Sequence, residues 1–495
     1  MTLSHGRHCR GGVPRQGWDD GLVEKAQSLV FRTDELVSAA DGELLCGASD
    51  REFGDFSIDS RQIQRGELFL AVKGDRFDGH EFVADAVRRG AAGVIVSDPS
   101  AVASKIMDKR DVTVVIVEDT TRSLQTIARH VRRRSCTTVV AITGSIGKTT
   151  TKELSAAFIG VQKRVYRNIG NLNNHIGLPL SLLKLRHQPE VAVVELGMNH
   201  AGEIRTLVDI AEPNVRVWTN VAEVHAENFS SIEDIADAKA ELLEGSRSND
   251  QLVANADDSL VMERVSQFPG LMITFGLEKT ADVRAIAVND LGLDGISATI
   301  ETPQGSGLLQ IPLIGMGNVA NVLASIAIAL QFQIPLGAMR DVLTKFIPLD
   351  RRGFVTHLSH GVTIVDDSYN SNPTALQRAL ESIGRTGGYR RRIAILGEML
   401  ELGVRSKALH YLCGKKAVET GFECIVAVGD ENATALGAGS LDAGLDSGSV
   451  VICSNSEEAV KVVSELVQKE DLVFVKGSRG VQTELVVERL KVDWS

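Results

Sequence analysis

No stretch of 18 or more apolar residues occurs in this chain, so no segment reads as a membrane-spanning helix. The first 20 residues carry Arg7, Arg10 and Arg15 without an apolar block. That is not the pattern of a secretory signal, and a disordered arm is expected there. Cysteines are few and scattered, at 9, 46, 136, 413, 424 and 453, with no C-x-x-C pair. Such spacing suits neither a zinc site nor a disulfide framework, so reduced thiols are expected. The densest basic run, Arg132-Arg133-Arg134, is short and reads as the end of a helix. With 53 Lys+Arg against 64 Asp+Glu the net charge is −11, and an acidic surface repels nucleic acid unless cations are gathered locally. Internal repeats and low-complexity tracts are absent as well. The expectation is a cytoplasmic protein with no nucleic-acid partner and no membrane insertion.

What remains is an ordinary globular composition, 43% hydrophobic and 24% charged, over a length of 495 residues that suits about three domains. Short β-branched runs alternate with helical patterns. Val94–Val96, Val114–Val117, Val139–Ile142, Val191–Val194, Ile393–Leu396, Ile425–Val428 and Val473–Val475 read as buried parallel strands. Leu154, Ala157, Phe158 and Val161 keep the spacing of one packed helix face. Breaks fall near residue 119, where a polar helix begins, and near 347, at Pro348-Leu349-Asp350-Arg351-Arg352-Gly353. The predicted class is α/β with three domains, 1–118, 119–346 and 347–495.

Thr143-Gly144-Ser145-Ile146-Gly147-Lys148-Thr149-Thr150 lies between an apolar strand and a helical pattern, the context of a P-loop. Its glycines let successive N–H groups turn inward around an anion, and the following helix adds its positive end. Lys148 would reach the outer phosphates of ATP, and the Thr149 hydroxyl would ligate Mg²⁺. Ile142 stands where the usual spacing has a further glycine. Gly144, Ser145, Ile146, Gly147, Lys148, Thr149 and Thr150 are thus the candidate phosphate contacts.

Thr-Gly-x-x-Gly-Lys-Thr-Thr resembles the P-loop of the Mur ligases, ATP-dependent amide-forming enzymes of peptidoglycan precursor synthesis. The likeness extends outward through Asp59-Ser60-Arg61, Gly66-Glu67-Leu68-Phe69 and Gly74–His80 to Asn171–Pro179. It continues through Glu195-Leu196-Gly197-Met198, His225, Ala238-Lys239, Asp366–Pro373, Leu396–Gly403 and Lys476–Arg479. The resemblance implies an N-terminal domain for a UDP-linked substrate, a central ATPase-like parallel sheet, and a Rossmann-like C-terminal domain. Tyr369-Asn370-Ser371-Asn372-Pro373 and Met399-Leu400-Glu401-Leu402-Gly403 resemble the family member that adds the last two residues. Its substrates would be UDP-N-acetylmuramoyl-tripeptide and D-alanyl-D-alanine, and it would act as a monomer.

By the same resemblance, Glu195 and His225 join Thr149 as metal ligands, although nitrogen ligation of Mg²⁺ is chemically unusual. Lys239 corresponds to a lysine that the family carries as a carbamate, an anionic oxygen ligand in place of an ammonium. Lys148, Lys239 and His225 are the catalytic candidates. Asn318 and Asn321 resemble adenine contacts, but Gly317 stands where the family commonly has His. Arg352 would meet ATP phosphates on domain closure or be a solvated linker charge. Asp366 and Asp367 end a strand and one of them would order the ribose, Asp366 being the candidate. Asn370 and Asn372 would contact the dipeptide or serve turn chemistry, and Ser60 and Arg61 would meet the diphosphate or cap a turn. Lys476 and Arg479 stay unassigned.

Three rival readings differ at named residues. The preceding ligase of the series would carry an Asp-Asn-Pro-Arg-type acceptor motif where Asn370-Ser371-Asn372-Pro373 stands. Folylpolyglutamate synthase would lack the domain marked by Asp59–His80. A nucleotide-binding scaffold would have no use for Lys148, Thr149, Glu195, His225 and Lys239 together.

Overall fold

The computed structural model describes residues 28–74, 77–102, 111–223 and 227–495. The arginines of the first 20 residues, Asp75, Arg76 and His225 lie outside them.

β-branched runs without alternation can only be strands covered on both faces, and the structure builds them so. All seven expected strands are present. The first sheet has five strands in the order Glu43–Cys46, Thr113–Ile116, Gly93–Val96, Leu68–Leu70 and Phe56–Ser57, parallel except at the Glu43–Cys46 edge. The second has nine, and Thr138–Thr143 lies inside it between Val191–Glu195 and Val215–Trp218, parallel to both. The chain moves from one flank of Thr138–Thr143 to the other, and ligands bind at such a switch, beyond the carboxyl ends. The third sheet orders its six strands Phe354–His357, Thr363–Asp367, Asp471–Lys476, Arg391–Gly397, Cys424–Val428 and Val450–Cys453. Only its first pair is antiparallel.

Several boundaries shift. The helix after the phosphate loop is Lys148–Ile159, so Val161 falls beyond it and is exposed. Leu154 and Phe158 are buried, and Ala156 and Ile159 join them in the same core, because the helix lies between sheet and the apolar helix Met316–Leu330. Ile142 is fully buried inside its strand. The strand therefore continues through the position where a glycine would have started the turn. The basic run closes the helix Thr120–Arg134 as expected, but Arg132 is buried. Its guanidinium donates to the Ala211, Glu212 and Thr137 carbonyls and to Asn214 Oδ1, which fastens two helix ends together.

One continuous apolar core runs from Phe31, Phe53 and Leu68 through Leu124 and Val131 to Val139, Trp218 and Leu252. The first sheet and one face of the second are therefore packed as one body. The third sheet has separate cores on its two faces, and among the described residues only Leu293 and Ile314 of the preceding chain rest against one of them. The free thiols of Cys46, Cys136, Cys413, Cys424 and Cys453 are unpaired. Among the described residues no helix is long and apolar enough to cross a membrane.

Candidate active site

The turn between Thr143 and Lys148 is shaped by what its glycines avoid. Gly144 has φ +148°, and a Cβ there would lie 1.9 Å from Thr219 Oγ1. Gly147 has φ +86°, and a Cβ there would lie 2.0 Å from Asn321 Oδ1. Only glycine admits this close approach. Asn220 pins the turn by accepting from Ile146 N (2.9 Å) and donating to Ile146 O (2.9 Å). Ser145 Oγ donates to Ala222 O (3.1 Å). Lys148 folds its ammonium back onto Gly144 O (2.8 Å), inside the curl of the turn. Burial pushes its pKa down and the nearby Arg352 adds to that, while Glu195 opposes them.

Glu195 ends the strand Val191–Glu195 and is buried. Its Oε2 accepts from the Thr149 hydroxyl (2.8 Å), and its Oε1 accepts from Asn173 Nδ2 (2.8 Å). Asn168 fixes its backbone, with Oδ1 accepting from Glu195 N (3.0 Å). Asn168 is held in turn by Lys152, a fully buried residue one turn beyond Lys148 whose Nζ donates to Asn168 O (2.6 Å). Two hard oxygens, from Thr149 and Glu195, therefore stand side by side at the mouth of the anion cradle.

Lys239 lies near the end of the helix Ile232–Ala240 and is 2% exposed. Its pKa is driven well below the ordinary lysine value, by burial first and then by the like charge of Lys148. The helix turns this lysine inward, away from solvent. Among the described residues no group of three His, Cys, Asp or Glu is gathered for a metal. Thr149 and Glu195 stand together in the wall of one cavity, whereas Lys239 is not part of that wall and reaches the site only through its charge on Lys148.

From across the linker, Arg352 Nη2 donates to Thr149 Oγ1 (3.1 Å) and its guanidinium lies 4.0 Å over the Tyr369 ring. Arg479 covers the same ring at 5.3 Å. A cavity of ≈ 1430 Å³ joins these parts, and its walls include Ser145–Thr150, Glu195, Asn318, Asn321, Arg352, Asn370 and Asn372. Asn321 Nδ2 donates to Asn318 Oδ1 (2.9 Å). Asn372 caps the helix Pro373–Gly384 by accepting from Ala375 N (2.9 Å), so turn chemistry and cavity wall coincide at this residue.

The structure sorts the remaining candidates by place. Asp366 is buried and does not line the cavity; it accepts from Ser368 Oγ (2.6 Å), and burial raises its pKa. The strand extends to Asp367, so alternation turns Asp367 toward the cavity, where it pairs with Lys476. Ser60 and Arg61 lie on the first sheet's side, apart from this cavity: Ser60 is buried, and Arg61 makes a bidentate pair with Asp59 (2.9 and 2.8 Å). Sequence reasoning gave no role to Asn168, Asn173 or Lys152, and of these only Asn173, in its quoted loop, carried a signal.

Family profiles match along most of this chain. Residues 55–132 match the Mur ligase family, catalytic domain; residues 142–329 match the Mur ligase middle domain; residues 351–479 match the Mur ligase glutamate ligase domain. The chain belongs to the Mur ligase family. Within it, the chain is 32% identical to UDP-N-acetylmuramoyl-tripeptide–D-alanyl-D-alanine ligase of Escherichia coli (strain K12), over 92% of this chain and 97% of that one. A crystal structure of MurF from Acinetobacter baumannii superposes with a TM-score of 0.84 at 28% identity, covering 94% of this chain and all (100%) of that one. MurF ligase from Thermotoga maritima in complex with ADP superposes at 0.77 and 29% identity, covering 89% and 97%.

Proposed function

We propose that this chain is an ATP-dependent ligase that joins D-alanyl-D-alanine to UDP-N-acetylmuramoyl-tripeptide, giving the pentapeptide precursor, ADP and phosphate. The observation that carries the reading is a shared cavity. The anion cradle and Glu195 face Arg352, Asn370 and Asn372 across it, so activation and amide formation have a common space. Residues 1–118 would hold the UDP-linked substrate, 119–346 the nucleotide and 347–495 the dipeptide. The enzyme would work in the cytoplasm as a monomer.

A carboxylate is a poor electrophile. Its oxygen attacks the γ-phosphorus of ATP, ADP leaves, and an acyl phosphate forms. The dipeptide amine then attacks the acyl carbon and phosphate departs with the original oxygen. Lys148 and Arg352 neutralise charge on the transferred group, and the cradle's N–H groups hold the phosphates in line. Asn372 has its Oδ1 engaged at the helix start, so its Nδ2 is what it can offer the dipeptide amide.

Thr149 and Glu195 suit Mg²⁺, a hard cation that takes oxygen ligands. Free Lys239 does not suit it; a carbamate on its buried nitrogen would, and would also turn the like-charge encounter with Lys148 into an attraction. His225 stays in the set on sequence grounds. Bound there, Mg²⁺ would supply Lewis-acid stabilisation of phosphoryl charge.

The test is phosphate release across donors. It should require both ATP and the UDP-linked tripeptide, and kcat/KM should be highest with D-alanyl-D-alanine. A site that pairs the dipeptide's amide rejects donors lacking it, because its polar groups are then left unpaired. A higher kcat/KM for D-alanine, L-lysine or diaminopimelate refutes the acceptor assignment. Phosphate release that ignores the donor refutes the ligase.

A further inference from the structure

Asn321 touches the phosphate turn at Gly147, and Asn318 lies one turn nearer the start of the helix Met316–Leu330. A nucleotide with its phosphates in the turn and its nucleoside running toward the start of this helix would bring its base beside Asn318 and Gly317, both in the wall of the same cavity. The backbone does not demand glycine at 317. The residue is helical, and a Cβ built there would meet nothing nearer than 3.8 Å. What lies over the bare position is Arg378, with Nη1 at 3.8 Å and Cδ at 3.9 Å from that point. Arg378 comes from the helix Pro373–Gly384, is exposed, and lines the same cavity. Glu381, one turn along from it, is engaged by Lys416 (2.5 Å).

We infer that Arg378 is a nucleotide-binding residue, its guanidinium stacking on the purine base beside Gly317. The inference rests on reading the cavity as a nucleotide site. A guanidinium is planar and weakly hydrated, and it stacks on aromatic faces in a way that an ammonium cannot. Lys148, Thr149 and Arg352 already serve the phosphate end, so a cation at the opposite end of this path meets the base. The nucleoside is thereby gripped from both sides of the linker, by Asn318 and by Arg378.

The test is calorimetric titration of the full chain with ADP and, separately, with inorganic pyrophosphate, which has no base. Arg378→Ala should weaken ADP binding about three- to thirty-fold, the range of a cation–π contact, and leave pyrophosphate binding unchanged. The exposed position means the fold is not at stake. Arg378→Lys, with the charge but without the plane, should stay weakened. Unchanged ADP affinity in Arg378→Ala, equal losses for ADP and pyrophosphate, or full recovery by lysine each overturn the inference. Failure of the unsubstituted chain to bind ADP overturns the nucleotide reading instead.

Discussion

Lys239 shows how far one residue can depart from what its type suggests. Lysine in a helix of mixed polarity usually faces water, yet here it is buried near a second ammonium. Removing a charge from water costs several kcal/mol, burial drives this amine toward its neutral form, and the proposed carbamate would give such a position a use. Lys239→Ala should lose roughly 100-fold in ligation rate, as removal of a metal-site group does, and small carboxylates should restore part of it. Full activity without added acid would reduce Lys239 to a packing role. Asp366 and Asp367 give a second contrast. The sequence marked the pair but not which member faces the nucleotide, because the strand's last residue decides its alternation. Asp367→Asn should weaken ADP binding and Asp366→Asn should not; the reverse order in a binding titration would put Asp366 at the nucleotide instead. Lys148, Thr149 and Glu195 were legible because a local motif and a strand end place them. Asn168, Lys152 and Arg378 were not, since their partners are fixed only when distant segments meet.

Among elements, the phosphate turn was readable as strand, glycines and helix in sequence. The Met399–Gly403 segment was readable only as a likeness, without the device that shapes it. That device is His410, fully buried on the helix Ser406–Glu419. Its Nε2 accepts from Met399 N (2.8 Å) and its Nδ1 donates to Ser406 O (2.8 Å), which fixes a neutral tautomer. Burial lowers its pKa below 6.5, outweighing the opposing pull of the Ser406 carbonyl and Glu398. The sign follows from proton counting. Below pH 6.5 the unfolded chain takes up a proton that the native imidazole refuses, so stability falls on acidification until the native pKa is passed. One proton limits the slope to about 1.4 kcal/mol per pH unit. His410→Gln can keep both hydrogen bonds without titrating, so its unfolding midpoint should depend less on pH just below 6.5. Identical pH profiles for the two proteins would exclude His410 as the source.

On the scale of the whole molecule, the three sheets are not joined alike. The first two share one core from Phe31 to Leu252, and parting them would expose many fully buried side chains. The third meets them through polar and glancing contacts: Arg352 on Thr149, Arg405 on Glu223 (2.8 Å), and Arg378 over Gly317. The joint that opens for substrate should therefore lie at the linker near residues 347–353, with the first two sheets moving as one body. The sequence marked this break by its Pro and Gly, but it could not show that the earlier break near 119 is covered by continuous packing. The contacts across the joint are also unequal. Arg405–Glu223 is solvent-exposed, and such pairs are worth about 0.2–1 kcal/mol, so Arg405→Ala should change ligation only a few-fold. Arg352 reaches the phosphate end of the cavity, where loss of one positioned donor costs about 2.7–4 kcal/mol of transition-state stabilisation; Arg352→Ala should lose on the order of 100- to 1000-fold. Hydrogen exchange with an ATP analogue and UDP-linked tripeptide should show protection near 347–353 and none between the first two sheets. Equal kinetic losses in the two arginine variants, or new protection confined to the first two sheets, would place the moving joint elsewhere.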